Sequence, residues 1–307
     1  MRGWPFRIAF GALFLWPGLA DAGALDHLGI RVQELNARPA FPAPPFRRTR
    51  PPGNRVPDSR PGFGDLDISE AWLIEPTTRY GHGVLGDLIE AAGLLVIMFD
   101  GRRLEYRLPD DSVLEDLQPR VADLDDDGRD EVITVRSRPG LGAALAIFHV
   151  EGGRLRPKAE TPAIGRSNRW LNPVGIGDLD GDGRPEVAYV ETPHIGGILR
   201  IWQLVGNRLH QLGHQPGFSN HAIGSGALGL SAILDLDGDG SEEILLPDAT
   251  RQSLRVVSFT RRRFAELGRL AHERPIVTDF LVGDQDGNGR DDVAYGLADG
   301  TWILLQR

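Results

Sequence analysis

Four stretches of this sequence set acidic side chains at alternate positions of a short, glycine-containing segment. They are Asp123-Leu-Asp125-Asp-Asp127-Gly128-Arg129-Asp-Glu131, Asp178-Leu-Asp180-Gly-Asp182-Gly183-Arg184-Pro-Glu186, Asp235-Leu-Asp237-Gly-Asp239-Gly240-Ser241-Glu-Glu243 and Asp284-Gln-Asp286-Gly-Asn288-Gly289-Arg290-Asp-Asp292. Carboxylates and carboxamides at positions 1, 3 and 5 of a tight loop can turn inward on one point, and glycine at position 6 lets the backbone reverse. The backbone carbonyl of position 7 (Arg129, Arg184, Ser241, Arg290) and the acid at position 9 (Glu131, Glu186, Glu243, Asp292) would complete the shell. A hard cation that takes six to eight oxygens at about 2.3–2.6 Å fits this donor set, so calcium is the expected cofactor, structural and up to four ions. One such segment could be an ordinary acidic turn, since Asp and Gly are common turn residues. Four copies in one register argue otherwise.

An EF-hand would need a bidentate Glu at position 12 between two helices. Position 12 here is Thr134, Tyr189, Leu246 or Tyr295, none of which chelates. Each segment instead leads into a short apolar run: Val132–Val135, Val187–Val190, Ile244–Leu246 and Val293–Tyr295. Runs of this kind bounded by Gly, Pro and Asp read as buried strands, so each acidic loop joins two strands.

The first Asp of successive copies lies 55, 57 and 49 residues apart, a period that marks a structural repeat. After each loop and strand come a second apolar strand, a tight turn and an amphipathic strand. The spacing predicts strands at 132–135, 144–149, 187–190, 198–204, 244–246, 254–259, 293–296 and 301–305. An earlier copy keeps the hairpin (Leu94–Phe99, then Arg103–Tyr106) but has a degenerate loop, Asp65-Leu-Asp67-Ile-Ser69-Glu70, with no turn glycine and no expected metal. Four short strands per repeat describe a four-stranded antiparallel blade, and such blades are stable when they close radially. The expected fold class is therefore all-β: a five-bladed β-propeller with D-x-D-x-[DN]-G loops. The last copy ends at Leu305 without its outer strand, so a segment from the N-terminal side, around Gly29–Gln33 or near Gly64, is expected to complete it. A helical turn is allowed only near Asp87–Ala92.

The D-x-D-x-[DN]-G-x-x-[DE] loops between strands resemble the FG-GAP/VCBS repeats of the integrin α-subunit N-terminal propeller and its bacterial relatives. The resemblance covers about residues 64–307. It implies a calcium-binding β-propeller, although the larger relatives have about seven blades and five are counted here.

Residues 1–22 have the form of a secretory signal: Arg2 and Arg7, an apolar stretch from Ile8 to Leu19, and Ala20-Asp-Ala22 before Gly23. That stretch is too short to span a bilayer. A periplasmic or secreted protein is expected, with no membrane span after cleavage. The chain has no cysteine, so stability outside the cytoplasm must come from packing and calcium rather than disulfides. Residues 23–62 are rich in Pro and Arg and read as a linker ahead of a propeller at 63–307. They carry seven Arg against Asp26, Glu34 and Asp58, which makes the remainder more acidic than the whole-chain net charge of −9. Acidity of that order excludes nucleic acid as a partner. Lys158 is the only lysine beside many arginines, a bias that composition assigns to codon usage.

Signals for catalysis are sparse. The eight His form no H-E-x-x-H motif, no G-x-S-x-G elbow occurs, and cysteine chemistry is excluded. Two sets of equivalent loops stand slightly above background: Tyr80-Gly-His82-Gly with Thr192-Pro-His194-Ile-Gly, and Arg166-Ser-Asn168-Arg169-Trp170 with Phe218-Ser-Asn220-His221. Clustered at one mouth of a propeller, they would suit a sugar or peptide. The sequence reading is a monomeric, non-catalytic binding or scaffold module with a protein or glycan partner in the cell envelope. The alternative is an envelope enzyme of glycan lyase or hydrolase type, using Tyr80, His82 and arginines in the funnel. Convergence of His82, Arg169 and His221 on one point would favour chemistry.

Overall fold

The computed structural model describes residues 23–41 and 50–307; the expected signal, residues 1–22, and the middle of the Pro/Arg-rich stretch lie outside the described residues. Its strands fall into five four-stranded antiparallel blades. An N-terminal strand, β1 (Arg31–Leu35), precedes the first blade, which comprises β2 (Gly62–Phe63), β3 (Ile68–Thr77), β4 (Glu90–Met98) and β5 (Arg103–Arg107). The short β6 (Val113–Leu114) pairs with β4 and with β8 of the second blade, so two blades form one continuous sheet. The second blade is β7 (Arg120–Ala122), β8 (Glu131–Arg138), β9 (Gly142–Glu151) and β10 (Arg154–Glu160). The third is β11 (Leu171–Gly177), β12 (Glu186–Glu191), β13 (Ile198–Val205) and β14 (Arg208–Pro216). The fourth is β15 (Ala232–Leu234), β16 (Glu243–Pro247), β17 (Ser253–Ser258) and β18 (Ala265–Ala271). The fifth has only β19 (Leu281–Gly283), β20 (Asp292–Gly296) and β21 (Trp302–Gln306) of its own, and β1 completes it.

That completion is the ring closure expected from the missing outer strand. β1 runs antiparallel to β21, with Arg31 opposite Gln306 and Leu35 opposite Trp302. The propeller therefore takes in residues upstream of the boundary at 63 that composition suggested. Residues 54–56 are also tied down rather than free linker: Val56 is buried, its N–H donates to the Leu73 carbonyl, and Glu75 N–H donates to Asn54. One aliphatic side chain among the prolines is enough to dock that stretch against the first blade.

The second strands of the four loop-bearing blades are buried along nearly their whole length, which is why they read as unbroken apolar runs. Their side chains fill the spaces between successive blades. One core cluster joins the fourth and fifth blades through Leu245, Leu254, Val293 and Tyr295, with Leu25 and Ile30 from the N-terminal segment. Others join the second and third blades through Ile133, Leu145, Val187 and Tyr189, and the third and fourth through Ile201, Phe218, Ile244 and Phe259. Burying each Leu or Ile contributes about 1.5–3 kcal/mol, so the inter-blade seams hold the ring together. The helical turn expected near Asp87–Ala92 does not form. Ile89 N–H donates to the Asp87 side chain in a bend, and Glu90 already begins β4.

Candidate functional site: the acidic loops and the mouth

Each acidic loop joins the first strand of its blade to the second: residues 123–130, 178–185, 235–242 and 284–291. All four are built alike. The position-1 carboxylate accepts from the position-6 N–H, at 2.9 Å for Asp123–Gly128, 3.0 Å for Asp178–Gly183, 3.1 Å for Asp235–Gly240 and 2.9 Å for Asp284–Gly289. The position-5 side chain accepts from the position-7 N–H: Asp127 from Arg129, Asp182 from Arg184, Asp239 from Ser241 and Asn288 from Arg290. The position-9 acid reaches back to the position-2 N–H, as Glu131 to Leu124, Glu186 to Leu179, Glu243 to Leu236 and Asp292 to Gln285. The position-6 glycines are left-handed, with φ of 81°, 86°, 92° and 83°.

These contacts gather oxygens. Ligand atoms of Asp123, Asp125 and Asp127 lie within 4.8 Å of one another, as do those of Asp178, Asp180 and Glu186, of Asp235, Asp237 and Asp239, and of Asp284, Asp286 and Asp292. Two orphaned atoms show that the donor set fits a cation: Oδ1 of Asp125 and Oδ1 of the fully buried Asp292 are shielded from water with no hydrogen-bond partner. Crowding is visible in the acids as well. Burial, then the Asp180 charge, pushes the Glu186 carboxyl up to about 7, and burial pushes Glu243 up to about 7.

The loops differ in what else reaches them. In the second blade the Lys158 ammonium, on β10, bonds both Asp125 and Glu131. In the third, Gln203 Nε2 donates to Asp182 (3.0 Å) and Glu186 (2.9 Å), and Arg262 of the fourth blade bonds Asp180 at 2.7 Å. In the fifth, Gln306 donates to Gln285. The degenerate first loop takes a carboxylate from its neighbour: Asp130 Oδ2 accepts from the N–H groups of Leu66, Asp67 and Ile68, all at 3.0 Å. A protein carboxylate there receives the position-2 amide that the loop's own ninth residue receives elsewhere.

A second site lies at one mouth of the propeller, where the sequence-flagged loops meet. His82, Val84, Asn168, Arg169, Trp170, Thr192, His194, Ile195 and Ile223 line a pocket of about 150 Å³. His82 and Arg169 thus share one cavity; His221 is fully buried one bond behind it. His82 Nδ1 lies 2.6 Å from Oε1 of the buried Glu115, whose other oxygen accepts from Ser137. The indole N–H of Trp170 donates to the Glu115 carbonyl at 2.9 Å. His194 Nε2 and His221 Nδ1 are 2.8 Å apart, and His221 Nε2 donates to the Ser225 carbonyl. That carbonyl fixes the proton order: with both rings neutral, His194 donates to His221 and keeps Nδ1 as an acceptor. Burial holds both imidazoles down at about 4. Tyr80 stands behind Asn168, its hydroxyl accepting the Asn168 N–H at 3.1 Å, and burial raises its pKa.

Sequence reasoning missed Glu115, an acid just after β6 with no motif around it. It also missed the rim. Ile223 is 72% exposed, Ile195 60% and Leu88 55%, and Leu88 packs near Gly83 beside His82. The Val84–Gly86 turn gives Val84 to this pocket and Leu85 and Gly86 to a wider opening of about 440 Å³ that Asp58, Arg60 and Leu117 also line.

No helix among the described residues is long and apolar enough to cross a membrane. A search of the curated proteins found no match to the sequence. Among solved structures the chain is similar to an exotype rhamnogalacturonan lyase, YesX, at 17% identity and a TM-score of 0.44, over 81% of this chain and 48% of that one. The chain thus spans about half the length of that protein. The family profile of the FG-GAP-like repeat matches residues 121–189, which contain the second and third acidic loops. With the recurring loops and the five antiparallel blades, the chain is an all-β propeller whose residues 121–189 match the FG-GAP-like repeat.

Proposed function

We propose that this chain is an exported, calcium-stabilised propeller that acts as a monomeric, non-catalytic binding module, with the His82–Ile223 mouth as its binding face and a protein or glycan of the cell envelope as its partner. The observation that carries the reading is the apolar rim: Ile195 and Ile223 stand exposed around a pocket floored by Trp170. Exposed aliphatic side chains beside a small pocket favour association, because covering them removes apolar area from water. The pocket's size separates binding from processing of a long chain. At about 150 Å³ it is well below the roughly 300–1,000 Å³ of sites that enclose a drug-sized ligand, so it suits one anchoring group. Asp123, Asp125, Asp127, Glu131 and their counterparts in the other three loops would hold calcium, which neutralises the clustered carboxylates at the blade edges when bound. The test is capture of partners from an envelope extract by the mature protein, by Ile223→Asp and by protein stripped with chelator. Capture that survives Ile223→Asp would remove the mouth from the function.

The His82–Glu115 pair favours a second reading, an envelope enzyme. A buried carboxylate that orients an imidazole at a pocket is an arrangement suited to moving protons. Turnover of envelope glycans that Glu115→Gln abolishes without loss of folding would replace binding with catalysis.

A further inference from the structure

Arg169 is an unmatched charge on the wall of the mouth. On this acidic protein several partly buried arginines pair with carboxylates, Arg138 with Glu160, Arg200 with Glu191 and Arg255 with Glu266, while Arg251, behind the mouth, bonds Ser219 and the His221 carbonyl instead. Among the described residues the Arg169 guanidinium has a single hydrogen bond, to the carbonyl of its neighbour Asn168 at 2.9 Å, and no carboxylate within ion-pair distance. It stands on the wall of a pocket that is otherwise apolar on one side (Val84, Ile195, Ile223) and aromatic at its base. The base is rigid. Trp170 is anchored through its N–H, and the His194 ring lies parallel to it within 8° at a centroid distance of 6.2 Å. His82 is likewise held by Glu115, leaving Nε2 without a partner among the described residues.

We propose that this pocket binds a carboxylate carried on a single six-membered ring. The inference rests on the reading that the mouth is the binding face, and it names the chemistry recognised there. Volume sets the ring: about 150 Å³ is the size at which an apolar protein cavity accepts benzene. Charge sets the carboxylate, because a guanidinium with free N–H groups matches two carboxylate oxygens in a planar, bidentate bond. His194 Nδ1, an acceptor by the proton order above, accommodates a hydroxyl on the same ring. An aromatic acid and a sugar acid share this chemistry. The apolar wall favours the aromatic one.

The experiment uses the full mature protein with calcium present, and follows Trp fluorescence and the imidazole C–H resonances during titration with benzoate, benzamide, glucuronate and glucose. Benzoate or glucuronate binding at least tenfold more tightly than its neutral isostere is the expected result, and the order of the two acids identifies the ring. Arg169→Gln, which breaks no ion pair, should erase that preference while keeping the melting temperature. Equal binding of acid and isostere, or unchanged selectivity in Arg169→Gln, overturns the proposal. So does silence from all four probes; if Ile223→Asp still abolishes partner capture in that case, the binding face stands and only its chemistry is wrong.

Discussion

The ammonium of Lys158 lies 2.7 Å from Oε1 of Glu131 and 2.7 Å from Oδ2 of Asp125, with 5% of its side chain exposed. The single lysine of the chain thus sits on two of the acids assigned to calcium in the second blade. An ammonium there offsets the same carboxylate crowding that a metal would, so this loop should need calcium least. Lys158→Met should lower stability in chelator by about 3 kcal/mol, the cost of leaving a buried acid unpaired, and calcium should restore most of the loss. Thermal melts with and without calcium check this. An unchanged melt in chelator would mean that Lys158 carries no such charge-balancing role.

Calcium removal should loosen the other three loops. Weak extracellular-type sites have dissociation constants of roughly 10⁻⁴–10⁻³ M, and ligand at about 100 times that value adds about 2.7 kcal/mol per site. Chelation should therefore drop the melting temperature by many degrees, and Asp239→Ala should remove a fraction of the calcium-dependent gain. Identical melts in calcium and chelator would reduce the loops to acidic turns.

Backbone strain distinguishes two neighbouring positions in the second loop. Gly128 has φ of 81° and open space around its missing Cβ, so Gly128→Ala should cost about 1–2 kcal/mol through conformation alone. Asp126, at φ of 59°, stands where the other loops have Gly181, Gly238 and Gly287, all left-handed. Asp126→Gly should be neutral or stabilise by up to about 1 kcal/mol, read from denaturant midpoints.

Ring closure makes the chain ends indispensable. Deleting residues 31–35, or Thr301 to Leu305, leaves an open fifth blade with unpaired edges. Either truncation should abolish the cooperative unfolding transition or produce dimers and aggregates in size-exclusion chromatography. A truncated monomer with a wild-type melt would contradict the closure.

Acid should destabilise the mouth. His221, shielded from solvent, has its pKa held down from 6.5 to about 4 by burial, and His194 is shifted the same way. The unfolded chain takes up a proton as pH falls through 6.5, while the native imidazole resists until about 4. Stability is thus full above about 6.5 and is lost between 6.5 and 4, by about 3 kcal/mol for His221. Glu186 and Glu243, pushed the other way, gain stability as pH falls, so the decline is read as the difference between urea melts of the wild type and His221→Gln, which should shrink from pH 6.5 to 4.

What the sequence revealed followed from range. The acidic loops are encoded within nine residues, and their period fixed blade number and the strand that had to come from elsewhere. The pocket depends on pairs such as His82 with Glu115 and His194 with His221, which are 33 and 27 positions apart and carry no local pattern. Lys158 looked like codon bias because its meaning lies in a bulged pairing of β10 with β9 that brings it to a loop on another strand. Asp130, at position 8 of its own loop, gave no sign that it serves the first blade.

The strand that closes the ring also sets an order in time. Gln33 and Gln306, whose side chains bond across β1 and β21, are 273 positions apart, nearly the whole chain. If the protein is exported N-terminus first, β1 reaches the far side of the membrane early and waits unpaired until the last strand follows it. Such a contact closes the longest loop the chain contains and forms slowly. During that interval β1 is an exposed edge, and its Arg31, Gln33 and Glu34 are the polar side chains that would keep it from pairing with a stranger.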